Sequence, residues 1–181
     1  MAAPRQMTKY TLNALKGWPS QSAVDFVAKL DSSVSTDPVY AGSVVSLNSS
    51  GNFILGTDEL SVMPMFVFQN SDDPDVANDG GTASTDAGVW VPVAPTGQMM
   101  ALVATGAYEL VSTQYVTGST YTINLPLWSD DSGSDIGKLD ATTWKSEKTV
   151  VGVISRGLVD NGYGHNGVAF WPYFLPGVIN K

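Results

Sequence analysis

The chain has 181 residues, 43% hydrophobic and only 14% charged, with a net charge of −8 at pH 7 and no cysteine. It is long enough for one domain with a sizeable core, and it excludes disulfides and thiolate metal sites. The acidity argues against nucleic acid as a partner, since that affinity rests on neutralising phosphates.

No apolar run approaches the roughly 20 residues of a membrane span, and the polar N-terminus lacks a signal-peptide core. The expectation is a soluble product made in the cytoplasm, with no membrane partner. A charged fraction well below the usual quarter leaves the surface to Ser, Thr, Asn and Gly, or to partners that cover it. The charge is also unevenly spread. Arg5, Lys9, Lys16 and Lys29 against Asp25 give residues 1–30 a net +3, which leaves −11 on the remainder. A basic head on an acidic body reads as an arm that docks elsewhere.

Residues 1–20 show no clear period and end in the breaker Gly17-Trp18-Pro19-Ser20. From Ala23 to Asp31 a helical and an alternating pattern compete. The strand is preferred because the β-rich segments that follow need a partner. Tyr40–Leu47 and Phe53–Leu55 flank the turn Asn48-Ser49-Ser50-Gly51-Asn52. Short strands are then expected at Met63–Gln69, Val89–Val93, Met99–Thr105, Ala107–Thr113, Tyr121–Leu125 and Thr149–Arg156. Thr105-Gly106 reads as a tight turn between two of them, and Pro92 and Pro126 belong at sheet edges. The apolar run Val168–Gly177 follows the Gly/Asn-rich loop 161–167. Two acidic loops, Asn70–Gly88 and Ser129–Asp140, separate the strands. This spacing predicts an all-β protein: a compact β-barrel or β-sandwich body over 21–181 with an extended N-terminal arm over 1–20.

The motifs that invite chemistry do not sustain it. Gly162-Tyr163-Gly164-His165-Asn166-Gly167 spells a dinucleotide fingerprint, but Phe170-Trp171-Pro172 follows where a helix N-terminus must stand. No cofactor is expected. The aspartates at 72, 73, 75, 130, 131 and 135 lack the spacing of a calcium loop, so no metal is expected and turn formation explains them. Asn48-Ser49-Ser50 is a formal glycosylation sequon that reads most simply as a turn. The single histidine, His165, has no recognisable orienting partner. Glu59, Glu109 and Glu147 stand in no catalytic context. No catalytic residue is expected. Trp90 and Trp128 would stack on sugars in a carbohydrate-binding module, but Trp and Tyr also anchor cores and interfaces, which is the preferred reading.

A resemblance joins several of these blocks. Tyr40–Asn48, Gly51-Asn52-Phe53 and Met63–Val76, continued in order by Ala101–Leu110, Val151–Gly157 and Phe170-Trp171-Pro172, resemble the head decoration (capsid cement) proteins of tailed bacteriophages. The likeness spans roughly residues 23–177 and rests on strand and turn patterns. It implies a non-enzymatic structural protein on the outer capsid surface of a virion, with the major capsid protein as partner. It also implies a homo-oligomer, with a trimer preferred to a dimer, that clamps neighbouring capsid subunits by multivalent contact. In that setting Arg5, Lys9 and Lys16 would meet acidic capsid groups, and Tyr10, Leu12, Leu15 and Trp18 would fill apolar grooves. Phe170, Trp171, Tyr173 and Phe174 would serve the body core or the contact between copies. The alternative is a β-sandwich carbohydrate-binding module on a virion or cell surface.

Overall fold

The computed structural model describes residues 12–16, 24–34, 39–40, 42–57, 64–70, 98–103, 109–131, 133–141, 148–160 and 165–175, with backbone alone at 12–16, 24–27, 68–70, 98–103 and 174–175. Among these residues there is no α-helix, and eleven strands run in chain order. They are β1 Leu12–Lys16, β2 Val24–Lys29, β3 Val44–Leu47, β4 Phe53–Leu55, β5 Met65–Asn70, β6 Gln98–Val103, β7 Glu109–Ser112, β8 Pro126–Ser129, β9 Leu139–Asp140, β10 Val150–Asp160 and β11 Asn166–Leu175. They form two antiparallel sheets, one ordered β1-β7-β11-β10-β8-β9 and the other β2-β6-β5-β3-β4. The protein is all-β.

Alternation along β3 and β5 explains how the sheets meet. Val44 and Phe66 point toward the six-stranded sheet and join Leu110, Leu127, Ile154 and Phe170 in one buried core. Phe66 and Phe170 hold their ring centroids 5.2 Å apart at a tilted angle, a geometry that suits the ring quadrupoles. Val45, Met65 and Val67 point the other way, into a second core with Leu30, Val34, Val39 and Phe53. Val44 and Val45 of β3 and Met65–Val67 of β5 are therefore buried on both faces, within near-continuous apolar runs. A polar bond also links β7 to the segment leading into β3: Ser112 Oγ donates to the Gly42 carbonyl at 2.9 Å, while accepting from the nearby Gln114 amide at 3.0 Å.

The five-stranded sheet curls until its edges touch. Leu30, just past β2, bridges Phe53 of β4, and the Asp31 amide donates to the Phe53 carbonyl at 2.8 Å. The contact is a single bridge, so the barrel does not close.

Several expectations need correction. Tyr121–Leu125 is not a strand. The Leu125 amide donates to the Thr122 carbonyl at 3.2 Å and Asn124 has φ 69°, which makes a turn; its apolar alternation imitates a strand. The strand begins one residue later, with Pro126 at its first position, between β10 and β9 and not at an edge. A missing donor is tolerated there as well. β6 and β7 are not a hairpin, because they lie in different sheets. Residues 12–16 of the expected arm form β1, paired with β7. The strand Val89–Val93, the Thr105-Gly106 turn, Pro92 and most of the loop Asn70–Gly88 lie outside the described residues.

Candidate functional site

Where ionisable side chains of the described residues are buried, they tie strands and loops together. Glu109 opens β7 with 1% exposure. It accepts from Arg156 Nη2 at 2.6 Å, across the intervening strand β11. Burial makes a carboxylate costly unless a cation and hydrogen bonds answer it. Arg156 does so from a half-exposed position.

Asp140 forms a second brace. It is the last residue of β9, cross-strand from Trp128, whose indole Nε1 donates to Oδ2 at 3.3 Å. Ser119 Oγ and the Ala141 amide both donate to Oδ1 at 2.8 Å. Beside it the Tyr121 hydroxyl lies 2.9 Å from the carbonyls of both Val116 and Leu139, and its ring meets Tyr115 edge-on. Burial, helped by the Asp140 charge, pushes the Tyr121 hydroxyl well above its ordinary range. It is a neutral hydrogen-bond donor that pins the 115–125 loop against β9.

Asp31 is the third. Oδ1 accepts from the Ser33 amide at 2.9 Å, and Oδ2 accepts from Asn48 Nδ2 at 2.6 Å and Asn52 Nδ2 at 3.4 Å. The bonds from Ser33, with help from Asn52 and Asn48, hold its carboxyl down at about 2. Asn48 in turn accepts from the Ser50 and Asn52 amides through Oδ1. The side chain of the formal sequon is thus spent on the β3–β4 turn, as the turn reading expects.

The residues expected to form the arm contact and the core or copy contact disperse. Phe170 is fully buried in the shared core, Trp171 is half-buried and Tyr173 is 52% exposed. Phe174 lies in β11, described by its backbone. Leu12, Leu15 and Lys16 lie in β1, also backbone only, with Lys16 in register with Glu109. Arg5, Lys9, Tyr10 and Trp18 lie outside the described residues, as does Trp90. Trp128 is 2% exposed and hydrogen-bonded to Asp140, so it offers no sugar platform. In the second acidic loop Asp135 pairs with Lys138 and Asp131 with Lys148. No group of three metal-ligating side chains occurs among the described residues.

The apolar side chains left at the surface are Ile123, Leu125, Leu158 and Tyr173 among the described residues. Ile123 and Leu125 belong to the 122–125 turn, which is held to β10 by the Asn124 amide on the Ile154 carbonyl and the Ile154 amide on the Leu125 carbonyl, both at 2.9 Å. A rigid backbone therefore presents two aliphatic side chains to solvent. Sequence reasoning misses all of this apart from Tyr173. The one legible signal is Asn124, a residue that tolerates the left-handed conformation of a turn.

The described geometry thus offers three braces and four exposed apolar side chains. The sequence matches no family model, and no curated protein is significantly similar to it.

Proposed function

We propose that the chain is a non-enzymatic structural protein of a phage virion, seated on the outer capsid surface, where it holds neighbouring major capsid subunits together. Its body is read as a two-sheet sandwich that includes β1, and residues 1–11 as the extension that reaches the capsid. It works as a homo-oligomer, a trimer in the first instance, and is made in the host cytoplasm.

One observation carries the reading. The blocks that resemble head decoration proteins overlap, in chain order, β3, β4, β5, β6, β7, β10 and β11, strands that belong to both sheets. The braces at Glu109, Asp140 and Asp31 support it further, since they serve rigidity, which a clamp between subunits needs.

Co-sedimentation with expanded phage heads lacking the protein tests this, with unexpanded heads as the control. The expected result is saturable binding to expanded heads and a raised melting temperature of the shell. Binding to neither kind of head would overturn the reading, and glycan arrays would then test the carbohydrate-binding alternative.

A further inference from the structure

The outermost strands of the two described sheets differ in how open they are to a further strand. β9 has two residues, and the 114–116 segment covers it: the Leu139 amide donates to the Gln114 carbonyl and the Val116 amide to the Leu139 carbonyl, both at 2.9 Å. β4 has three residues and takes the Asp31 amide on its Phe53 carbonyl. β1 has five, and its register with β7 breaks between Ala14 and Lys16. Short length, a covering loop and a bulge each blunt an edge. β2 has six residues and runs in unbroken register with β6, from Val24↔Val103 to Lys29↔Gln98. Among the described residues nothing pairs with its other side; the far edge of the sheet reaches only Leu30, one residue beyond it.

The sequence of this open edge fits a copy of itself. Ala28 packs against the second core and Lys29 is exposed. Strand alternation therefore places positions 25, 27 and 29 together on the outer face. Antiparallel pairing of two β2 strands about Val27 sets Asp25 of each copy opposite Lys29 of the other. Registers centred on Asp25 or Lys29 put like charges opposite each other, and those centred on Phe26 or Ala28 leave neither charge opposite its counterpart. Parallel in-register pairing aligns like with like. Opposite charges across a strand pair stabilise it and like charges oppose it, so one register is selected.

We propose that β2 is a self-pairing edge: two copies of this chain join β2 to β2 across a two-fold axis at Val27, so that their five-stranded sheets run on into one another. The contact uses the same patch on each copy and joins copies in pairs; the ring of a trimer would need a further, head-to-tail contact. It rests on the sheet edge and not on the capsid reading, which the phage-head experiment tests separately.

The test uses the purified full chain. A single strand pair is a small interface, so self-association should be weak, with Kd on the order of 0.1 to 1 mM. Sedimentation across that range should show the mass rising from 19.1 kDa toward twice that value. Asp25→Lys and Lys29→Asp each place like charges opposite at both pairs of the dimer, and each should weaken self-association about tenfold. Asp25→Lys takes the net charge from −8 to −8 + 2 = −6, so weaker association there cannot come from overall repulsion. An equal mixture of the two variants restores both opposite-charge pairs and should associate about as tightly as the parent. The swapped double variant, Asp25→Lys with Lys29→Asp, should do the same. The chain has no cysteine, so Val27→Cys gives a reading independent of the charges. It should oxidise to a reducible dimer faster than Thr117→Cys, an exposed position away from this edge. A parent that stays at 19.1 kDa up to about 1 mM would overturn the proposal. So would charge reversals that associate as the parent does, or a Val27→Cys dimer that forms no faster than the Thr117→Cys one.

Discussion

Arg156 on β10 reaches across β11 to place Nη2 2.6 Å from Oε2 of Glu109 on β7. The pair ties three strands of the six-stranded sheet together, adding a side-chain link to the β10–β11 and β11–β7 ladders. Glu109 is 1% exposed, so its charge has little water to fall back on. Arg156→Met should keep an unbranched side chain, strand the carboxylate and lower stability by about 2–3 kcal/mol, below the full cost of breaking a buried pair because the arginine is half-exposed. Glu109→Gln removes the buried charge as well and should cost about 1 kcal/mol. Urea unfolding of both variants and of the double variant measures the coupling.

Asp31 makes the acid limb of stability testable. Its carboxyl sits at about 2 in the folded chain, against an ordinary 3.8. A depressed carboxylate contributes stability that is fully present above the unfolded value and is lost as pH falls through the folded one. The contribution should therefore hold above about pH 4 and fade between there and pH 2. Asp31→Asn should unfold more easily than the parent at pH 5, and the gap between their urea midpoints should close by pH 2. A gap that stays constant across the window would remove Asp31 from the acid response.

Two glycines with similar backbones separate conformational strain from crowding. Gly137 has φ +80°, and a Cβ there would lie 3.0 Å from both Leu55 Cδ2 and the Val44 carbonyl oxygen. Gly118 has φ +94° and nothing within 4 Å. Gly118→Ala should cost about 1 kcal/mol, the left-handed penalty alone. Gly137→Ala should cost about 2–3 kcal/mol, because the acidic loop docks on β3 through the Val44 amide and the Gly137 carbonyl, 2.7 Å apart. Thermal melts of the two variants decide it.

Legibility in the sequence followed locality. The β3–β4 turn is readable because Asn48 and Gly51 carry its chemistry within five residues, and the β10–β11 hairpin because its apolar runs are long. The 121–125 segment deceives because Tyr121, Ile123 and Leu125 alternate as a strand would, while Asn124 bends the chain and two of the three are exposed. The β6–β7 connection carries a hairpin's punctuation, yet each strand takes partners that are distant in sequence. Glu109 and Arg156 are 47 residues apart, so nothing local marks either as the other's counter-charge. Trp128 is the same lesson on a shorter scale: sugar platform and core anchor look alike until Asp140 is seen beside its indole.

The closing strand supplies the last prediction, because it separates the interior from the contact between copies along a few residues. Phe170 is fully buried against Phe66, whereas Tyr173 is 52% exposed. Phe170→Ala should cost about 3–5 kcal/mol, the loss of a large core side chain plus the cavity it leaves. Trp171→Ala, from a half-buried position, should cost about 2 kcal/mol. Tyr173→Ala should change the urea midpoint by no more than about 0.5 kcal/mol, as surface substitutions do. If copies meet through this strand, Tyr173→Ala should nonetheless lower the mass seen by light scattering, while Phe170→Leu, folded but weakened, leaves that mass unchanged. Opposite responses in the two assays assign Phe170 to the core and Tyr173 to the contact. An unchanged mass in Tyr173→Ala would take the contact away from this strand and leave the turn bearing Ile123 and Leu125 as the next exposed apolar surface to mutate.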